Sequence, residues 1–158
     1  MPDVEELQSG PPHEVALENA FRKASAVAPR APDALVLGVD TLVSLGVRLY
    51  GKPADEDEAR AMLSALAGRR HTVVSGVCLI EDGRPRTAAA STVVEFRALD
   101  ETLLDWYMAS GEWRERAGAY AIQGRGAALV AGIDGDFLNV VGLPLTTLLE
   151  LAPKLLSG

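Results

Sequence analysis

Two spacings of hydrophobic residues alternate along the chain. Apolar side chains recur every three to four positions in four segments, the spacing of a helix with one buried face. These segments predict helices over residues 14–28, 55–67, 100–110 and 144–156. Stretches rich in β-branched and apolar residues predict strands over residues 34–40, 41–50, 71–80 and 87–97, with two or three short strands between residues 119 and 141.

Local turn and cap patterns separate these elements. Gly46 interrupts the strand pattern of residues 41–50 and predicts a turn there. Residues 81–84, Glu-Asp-Gly-Arg, predict a hairpin, and Asp55 with Glu58 resembles a capping box at the start of a helix. Because helices and strands alternate around one central hairpin, the sequence predicts a single α/β domain of 158 residues on a mixed β-sheet.

Composition narrows the class of protein. Hydrophobic residues make up 48% of the chain, enough to build a core, and the apolar runs are much shorter than the roughly 20 residues of a membrane helix. The first ten residues are acidic and polar, unlike a secretory signal. The single cysteine, Cys78, excludes a disulfide framework and a multi-cysteine metal site. These features together predict a cytoplasmic protein without a membrane partner.

Charge narrows the class of ligand. The net charge of −7, with no basic tract, argues against a wide nucleic-acid surface but allows a small phosphate ligand held by a few cations. Among 15 basic residues only three are lysines, and two of them, Lys23 and Lys52, lie near the chain's most unusual segment. Lys52 follows Gly51 and precedes Pro53, so it is a candidate point charge for a phosphate. An exposed lysine without a partner is the alternative for both.

Two further residues are candidates for chemistry. Asp40 ends the predicted buried strand 34–40, and the carboxyl ends of strands are where open α/β sheets bind ligands. A carboxylate there either binds a metal or activates water, although an Asp that caps a turn gives the same pattern. Gln123 is a polar residue in a glycine-flanked apolar stretch, so its amide needs partners: a nucleotide base edge or neighbouring backbone.

Eight short segments, taken in order, resemble one family. They are Ala20-x-x-Lys23-Ala24, Leu37-Gly38-Val39-Asp40-Thr41, Gly51-Lys52-Pro53, Glu58-Ala59, Gly68-x-x-His71-x-Val73-x-Ser75-Gly76-Val77, Gly111-Glu112, Ala117-Gly118-Ala119-Tyr120-x-Ile122-Gln123-Gly124 and Asn139-Val140-Val141-Gly142-Leu143-Pro144-Leu145. Their order and spacing resemble the Maf family of nucleoside triphosphate pyrophosphatases, historically called septum-formation inhibitors. The resemblance runs from about Val4 to the C-terminus.

The resemblance implies a fold and a reaction. The fold is Maf/inosine-triphosphatase-like, a long mixed β-sheet flanked by helices with a cleft between two lobes. The reaction cleaves a nucleoside triphosphate between its α and β phosphates, with a divalent cation, Mg²⁺ or Mn²⁺, as cofactor. The family also implies a possible homodimer.

Site residues follow from the same resemblance. Asp40 matches the family's proton acceptor and metal-binding carboxylate, and Glu6 falls near its metal-associated acidic residue. Lys23 and Lys52 match phosphate-binding lysines. Thr41 and Gln123 match the subgroup that acts on dTTP and UTP.

One part of the family pattern has no counterpart in this chain. The family begins with an apolar strand, a Ser-x-Ser-Pro-Arg-Arg-like loop and a helix, so residues 1–158 are expected to form a Maf-like domain truncated at its N-terminus. That loop grips phosphate in the family, so either the natural chain is longer than residues 1–158, or Arg22 and Arg116 are candidates to take the loop's place. Two alternative functions stay open: a catalytically impaired nucleotide-binding protein that regulates septum formation, and a 7-methyl-GTP pyrophosphatase, which Thr41 and Gln123 disfavour.

Overall fold

A computed structural model describes residues 3–157. The strands are β1 (Val36–Leu45), β2 (Arg48–Tyr50), β3 (Arg70–Glu81), β4 (Arg84–Phe96) and β5 (Val130–Asp134). The helices are α1 (Pro12–Val27), α2 (Glu56–Leu66), α3 (Glu101–Ser110), α4 (Phe137–Val141) and α5 (Leu145–Leu151). Short 3₁₀ turns cover Ala28–Arg30, Ala117–Ala119, Gly124–Leu129 and Pro153–Leu156. The α/β class predicted from the sequence is confirmed.

The five described strands form one sheet in the order β2-β1-β3-β4-β5. All four pairings are antiparallel, so the prediction of a mixed sheet is wrong for this part of the chain. The reason lies in the connections: tight turns join β1 to β2 and β3 to β4, and such turns permit only antiparallel neighbours. Strand β2 lies on one side of β1. After β2, helix α2 takes the chain across to the other side of β1, where β3 pairs antiparallel with β1.

Helix α1 covers one face of the central strands at unusually short range. A Cβ added at Gly38 would lie 2.8 Å from the backbone nitrogen of Ala24, and one at Gly76 would lie 2.5 Å from the carbonyl carbon of Ala16. Any larger residue at these two positions would therefore collide with helix backbone. The absence of side chains at both glycines lets α1 rest directly on β1 and β3.

The opposite face carries the larger core. Helices α2 and α3 and the 3₁₀ turns pack there around fully buried side chains, among them Leu63, Tyr107, Phe96 and Leu129. The Asp55 carboxylate accepts a hydrogen bond from the Glu58 backbone N–H at 2.8 Å, which confirms the predicted start of α2.

A buried amide and a buried imidazole link this core to the loops. Asn139 in α4 donates to the Val73 carbonyl and to Thr92 Oγ1 at 3.1 and 3.0 Å, which fixes α4 to β3 and β4. His71 is 2% exposed, and its Nε2 lies 2.7 Å from Tyr120 Oη. Burial lowers the pKa of His71 to about 4.

Three boundaries differ from those predicted. Strand β1 continues past residue 40 to Leu45, because residues 41–44 pair with β3 as regularly as residues 36–40 do. Residues 119–141 contain one strand instead of two or three, since positive φ angles at Gly118, Ala119 and Gly124 bend the chain into 3₁₀ turns. The last predicted helix is interrupted before Pro153. Among residues 3–157, no helix has both the length and the apolar character to cross a membrane.

Candidate active site

Asp40 is a buried carboxylate held by two side chains of α1. It is only 7% exposed and lies in the middle of β1, which corrects the prediction that it ends the strand. Lys23 Nζ donates to Asp40 Oδ1 at 2.7 Å, and Asn19 Nδ2 donates to Oδ2 at 3.2 Å. Each carboxylate oxygen thus has its own donor, which offsets part of the cost of burying the charge.

The position of Asp40 follows from the sheet register. Asp40 is paired with Gly76 on β3, so both point toward α1, as does Gly38 two residues earlier. The close approach of α1 that the two glycines allow brings Asn19 and Lys23 to the carboxylate. Strand β2 pairs only with residues 43–45 of β1, so the described strands leave the outer edge of β1 uncovered beside Asp40.

Lys23 joins Asp40 to the segment before α1. Its Nζ is 3.0 Å from Glu6 Oε1 as well as 2.7 Å from Asp40 Oδ1. Burial alone would lower the pKa of Lys23, but the hydrogen bonds to Asp40 and Glu6 outweigh it, so its pKa is raised above the ordinary 10.5. Lys23 is therefore a fixed positive charge between two carboxylates.

Asn19 also fastens the segment that carries Glu6. Its amide accepts from the Leu7 N–H at 2.7 Å and donates to the Leu7 carbonyl at 3.1 Å. One side chain therefore holds both the backbone beside Glu6 and the carboxylate of Asp40. Sequence reasoning missed Asn19, although it lies four positions before Lys23 and so shares its side of the helix.

These groups border a cleft of about 710 Å³, a size typical of small-molecule sites. Five residues predicted for the site line it: Lys23, Asp40, Thr41, Lys52 and Gln123. Glu6 does not, and reaches the site through Lys23. The other wall consists of residues 111–117 and 120–124 and of α4.

Lys52 lies at the exposed mouth of this cleft. Its side chain is 62% exposed, and its Nζ is 3.5 Å from Glu115 Oε2 on the opposite wall. The Gly118 N–H donates to the Gly51 carbonyl at 3.1 Å, which ties that wall to the residue before Lys52. Of the two arginines considered as replacements for the family's phosphate loop, Arg116 lines the cleft. Arg22 instead pairs with Glu18 and donates to the Glu5 carbonyl.

Thr41 and Gln123 differ in how much of their hydrogen-bonding capacity is free. Thr41 Oγ1 lies 2.8 Å from Ser75 Oγ, so its hydroxyl already has one partner. Gln123 is exposed, and no hydrogen bond of its amide to described residues is present. The apolar stretch around Gln123 does not bury its amide, because Gly124 turns the chain so that residue 123 faces the cleft.

The carboxylates at and near Asp40 are the type of oxygen ligand that a hard divalent cation prefers. Within residues 3–157, no three His, Cys, Asp or Glu side chains gather to hold a metal by themselves. Asp40 and Glu6 both contact the Lys23 ammonium, so two carboxylates lie close to each other on either side of that side chain. Magnesium is commonly held by one or two carboxylates, with phosphate oxygens and water completing its shell.

Comparison with known proteins matches the sequence of this chain to one family. The family model described as Maf-like protein matches residues 1–155. The chain belongs to the Maf family. The resemblance found in the sequence motifs is therefore confirmed.

Three similar proteins have the same name. A protein from Sphingopyxis alaskensis is 50% identical over 147 residues, which cover 91% of this chain and 77% of that protein. One from Symbiobacterium thermophilum is 47% identical, with 92% and 76% covered, and one from Pyrococcus furiosus is 42% identical, with 93% and 77% covered. All three are named dTTP/UTP pyrophosphatase. The chain spans about three quarters of their length.

Proposed function

We propose that this Maf protein is a nucleoside triphosphate pyrophosphatase, a hydrolase that converts dTTP or UTP to the monophosphate and pyrophosphate. The observation that carries the proposal is the buried Asp40 carboxylate, held at 2.7 Å by Lys23 beside a nucleotide-sized cleft. The relatives that are 42–50% identical and named dTTP/UTP pyrophosphatase support the same reaction.

Charge neutralisation is the first requirement of the reaction. Cleavage of a phosphoanhydride depends mainly on positioning and on stabilising the phosphate charges. Lys23 supplies a partly buried ammonium and Lys52 an exposed one at the mouth, so the triphosphate is proposed to lie between them. Glu115, which faces Lys52 at 3.5 Å, is displaced when a phosphate takes that position.

Asp40 is proposed as the group that receives a proton. A water oxygen forms a bond to the α phosphorus, the bond from that phosphorus to the bridging oxygen breaks, and pyrophosphate leaves with the bond's electron pair. The proton of the attacking water goes to the carboxylate of Asp40. Asn19 and Lys23 keep that carboxylate in one orientation throughout.

A divalent cation is proposed to bind beside Asp40. Asp40 and Glu6 would hold it, with phosphate oxygens as further ligands. When bound, such a cation neutralises phosphate charge and acidifies bound water. Mg²⁺ and Mn²⁺ are the proposed ions, and a titration of activity against each distinguishes them.

Gln123 is proposed to recognise the base. Uracil and thymine present a carbonyl acceptor beside an N–H donor, and one glutamine amide can satisfy both. Thr41, with a hydroxyl already bonded to Ser75, is proposed as a smaller contact from the β1 wall of the cleft.

The test of the proposal is a product analysis in ¹⁸O-labelled water. Purified protein is incubated with dTTP, UTP, dCTP, GTP and 7-methyl-GTP in turn in the presence of Mg²⁺. The products are separated by ion exchange, and their ¹⁸O content is measured by mass spectrometry. We expect monophosphate carrying one ¹⁸O together with unlabelled pyrophosphate, fastest for dTTP and UTP. Release of inorganic phosphate would contradict the proposed bond, and preference for 7-methyl-GTP would favour that alternative. Nucleotide binding without turnover would favour a regulatory protein.

Three further properties are proposals with simple measurements. Residues 1–158 are proposed to form one Maf-like domain, which predicts a single unfolding transition in calorimetry. A cytoplasmic location predicts recovery in the cytoplasmic fraction of the native cells. A homodimer predicts twice the chain mass of 16.7 kDa in light scattering.

A further inference from the structure

Glu112 binds the backbone of the loop that carries Gln123. One oxygen of its carboxylate, Oε2, accepts from the Arg125 N–H at 3.0 Å, and the other, Oε1, accepts from the Gly126 N–H at 3.2 Å. Both contacts are charge-assisted, and both fall within three residues after Gln123. Nothing in the proposed reaction uses this carboxylate, although it lines the cleft.

Glu112 itself is held at the end of a helix. Gly111 ends α3 in the left-handed conformation, with φ 72°, and the Glu112 N–H donates to Ser110 Oγ at 3.1 Å. The carboxylate therefore projects from a fixed point. Its two contacts transmit the position of α3 to the loop.

The same loop is also fixed on the other side of Gln123. The Ala121 N–H donates to Tyr107 Oη at 3.0 Å, and Tyr107 is a fully buried residue of α3. Further along, the Arg125 guanidinium lies 5.2 Å from the centre of the Trp106 ring, which also belongs to α3. Both flanks of Gln123 thus depend on the C-terminal half of α3.

Two glycines leave room for this arrangement. Gly124 has a φ of 72°, and a Cβ there would lie 3.0 Å from both oxygens of Glu112. At Gly126 a Cβ would overlap the Ala121 carbonyl. The carboxylate and the loop are therefore packed so closely that a change in one must move the other.

Base selection by a glutamine requires that the loop carrying it is held in a fixed position. A glutamine amide that rotates by half a turn exchanges its donor and acceptor, and it then matches cytosine as well as uracil. The amide can select a base only if the loop holds it at hydrogen-bonding distance from the base edge, because displacement of the loop weakens those contacts. A loop anchored at residues 121, 125 and 126 provides that fixed position.

We propose that Glu112 is a positioning residue for base selection, acting through the Gln123 loop and not on the phosphates. This inference rests on the proposed function, because it assigns the base-recognition role to Gln123. It places a specificity-determining group outside direct contact with the base.

The test compares Glu112→Gln with a matched control, Glu101→Gln. Glu101 is also a glutamate of the α3 region, but its side chain is 86% exposed and its ion-pair partner is Arg60. Glutamine at 112 can accept only one of the two backbone N–H groups and turns a donor toward the other. We expect the ratio of kcat/KM for dTTP to that for dCTP to fall about tenfold in Glu112→Gln and to stay unchanged in Glu101→Gln.

A base-free probe separates this role from a general structural one. Inorganic tripolyphosphate offers the phosphates without a base, so its inhibition constant should stay within about twofold of wild type in Glu112→Gln. Glu112→Asp keeps the charge with a shorter reach, and should recover part of the selectivity. Equal loss of tripolyphosphate and dTTP binding, or unchanged selectivity, would overturn the inference.

Hydrogen exchange tests the anchoring without any turnover. The amides of Arg125 and Gly126 should exchange faster in Glu112→Gln than in wild type, while amides of β3 keep their rates. If wild type cleaves no triphosphate but these amides change, the proposed function fails and the anchor stands. If wild type is selective and the exchange rates of these amides do not change, the proposed anchor is wrong and the proposed function stands.

A double variant gives a further test. Combining Glu112→Gln with Gln123→Ala should cause no greater loss of selectivity than Gln123→Ala alone, and full additivity would also overturn the inference.

Discussion

A methyl group at Gly76 should separate α1 from the sheet and disable the site. The new Cβ of Gly76→Ala would lie 2.5 Å from the Ala16 carbonyl carbon and 2.8 Å from the Leu17 nitrogen, where ordinary contacts begin at 3.4 Å. Because both neighbours are helix backbone, no side-chain rotation relieves the overlap. The helix must retreat by about 1 Å at this point.

That retreat has consequences for both stability and activity. Overpacking of this kind costs about 1–3 kcal/mol in the free energy of unfolding, which for a domain of this size lowers Tm by roughly 2–12 °C. The Asn19–Asp40 contact, now 3.2 Å, would lengthen beyond hydrogen-bonding distance. The flexible Lys23 side chain can follow the carboxylate, but the short Asn19 side chain cannot.

The assay pairs thermal unfolding with dTTP turnover, using Gly132→Ala as the control. Gly132 is also a strand glycine, and a Cβ there would meet nothing within 4 Å. We expect Gly76→Ala to have a lower Tm than wild type and to lose most of its kcat. Gly132→Ala should change neither quantity. Wild-type stability and turnover in Gly76→Ala would refute the claim that the close approach of α1 positions Asp40.

Three other changes test separate parts of the site and core. Lys52→Ala should raise KM roughly tenfold for every triphosphate alike, since it removes a charge that is proposed to contact phosphate; a loss confined to one base would argue against that role. Gln123→Glu should reduce kcat/KM for dTTP and UTP more than for dCTP, because it replaces the amide donor with a charge; equal losses for all bases would remove Gln123 from recognition. His71 has a folded pKa of about 4 against 6.5 unfolded, so below pH 6.5 the unfolded chain binds a proton that the folded chain does not. Stability should therefore fall between pH 6.5 and 4, by ~2 kcal/mol at about pH 5, and this part of the loss should be absent in His71→Gln; an identical pH dependence would contradict it.

Local sequence patterns predicted most elements because their determinants are themselves local. The cap at Asp55 and the turn at Asp82 and Gly83 involve residues within three positions of each other, so the sequence contains all the necessary information. The end of β1 and the directions of the strands are not determined locally. They depend on pairing with residues more than 30 positions away, such as Asp40 with Gly76.

The residues of the candidate site also fall into two groups, those that local motifs predict and those that only tertiary contacts reveal. Asp40, Lys23, Lys52, Thr41 and Gln123 were predicted from motifs, and the fold brings all five to one cleft. Asn19 and Glu112 were not predicted to act there, because their proposed roles depend on contacts with backbone and side chains that are distant in sequence. Asn19 touches Leu7 and Asp40, while Glu112 touches Arg125 and Gly126. Their importance becomes visible only when tertiary contacts are known.

The most direct test of the central claim is the turnover of Asp40→Asn. Asparagine keeps the shape of the side chain and can still accept from Asn19, while Lys23 retains Glu6 as a partner. The variant should keep its fold and its capacity to bind dTTP, yet lose a factor of about 10²–10⁴ in kcat, because it cannot take a proton from water. A folded Asp40→Asn variant that retains most of the wild-type kcat would contradict the assignment of Asp40 as the catalytic carboxylate.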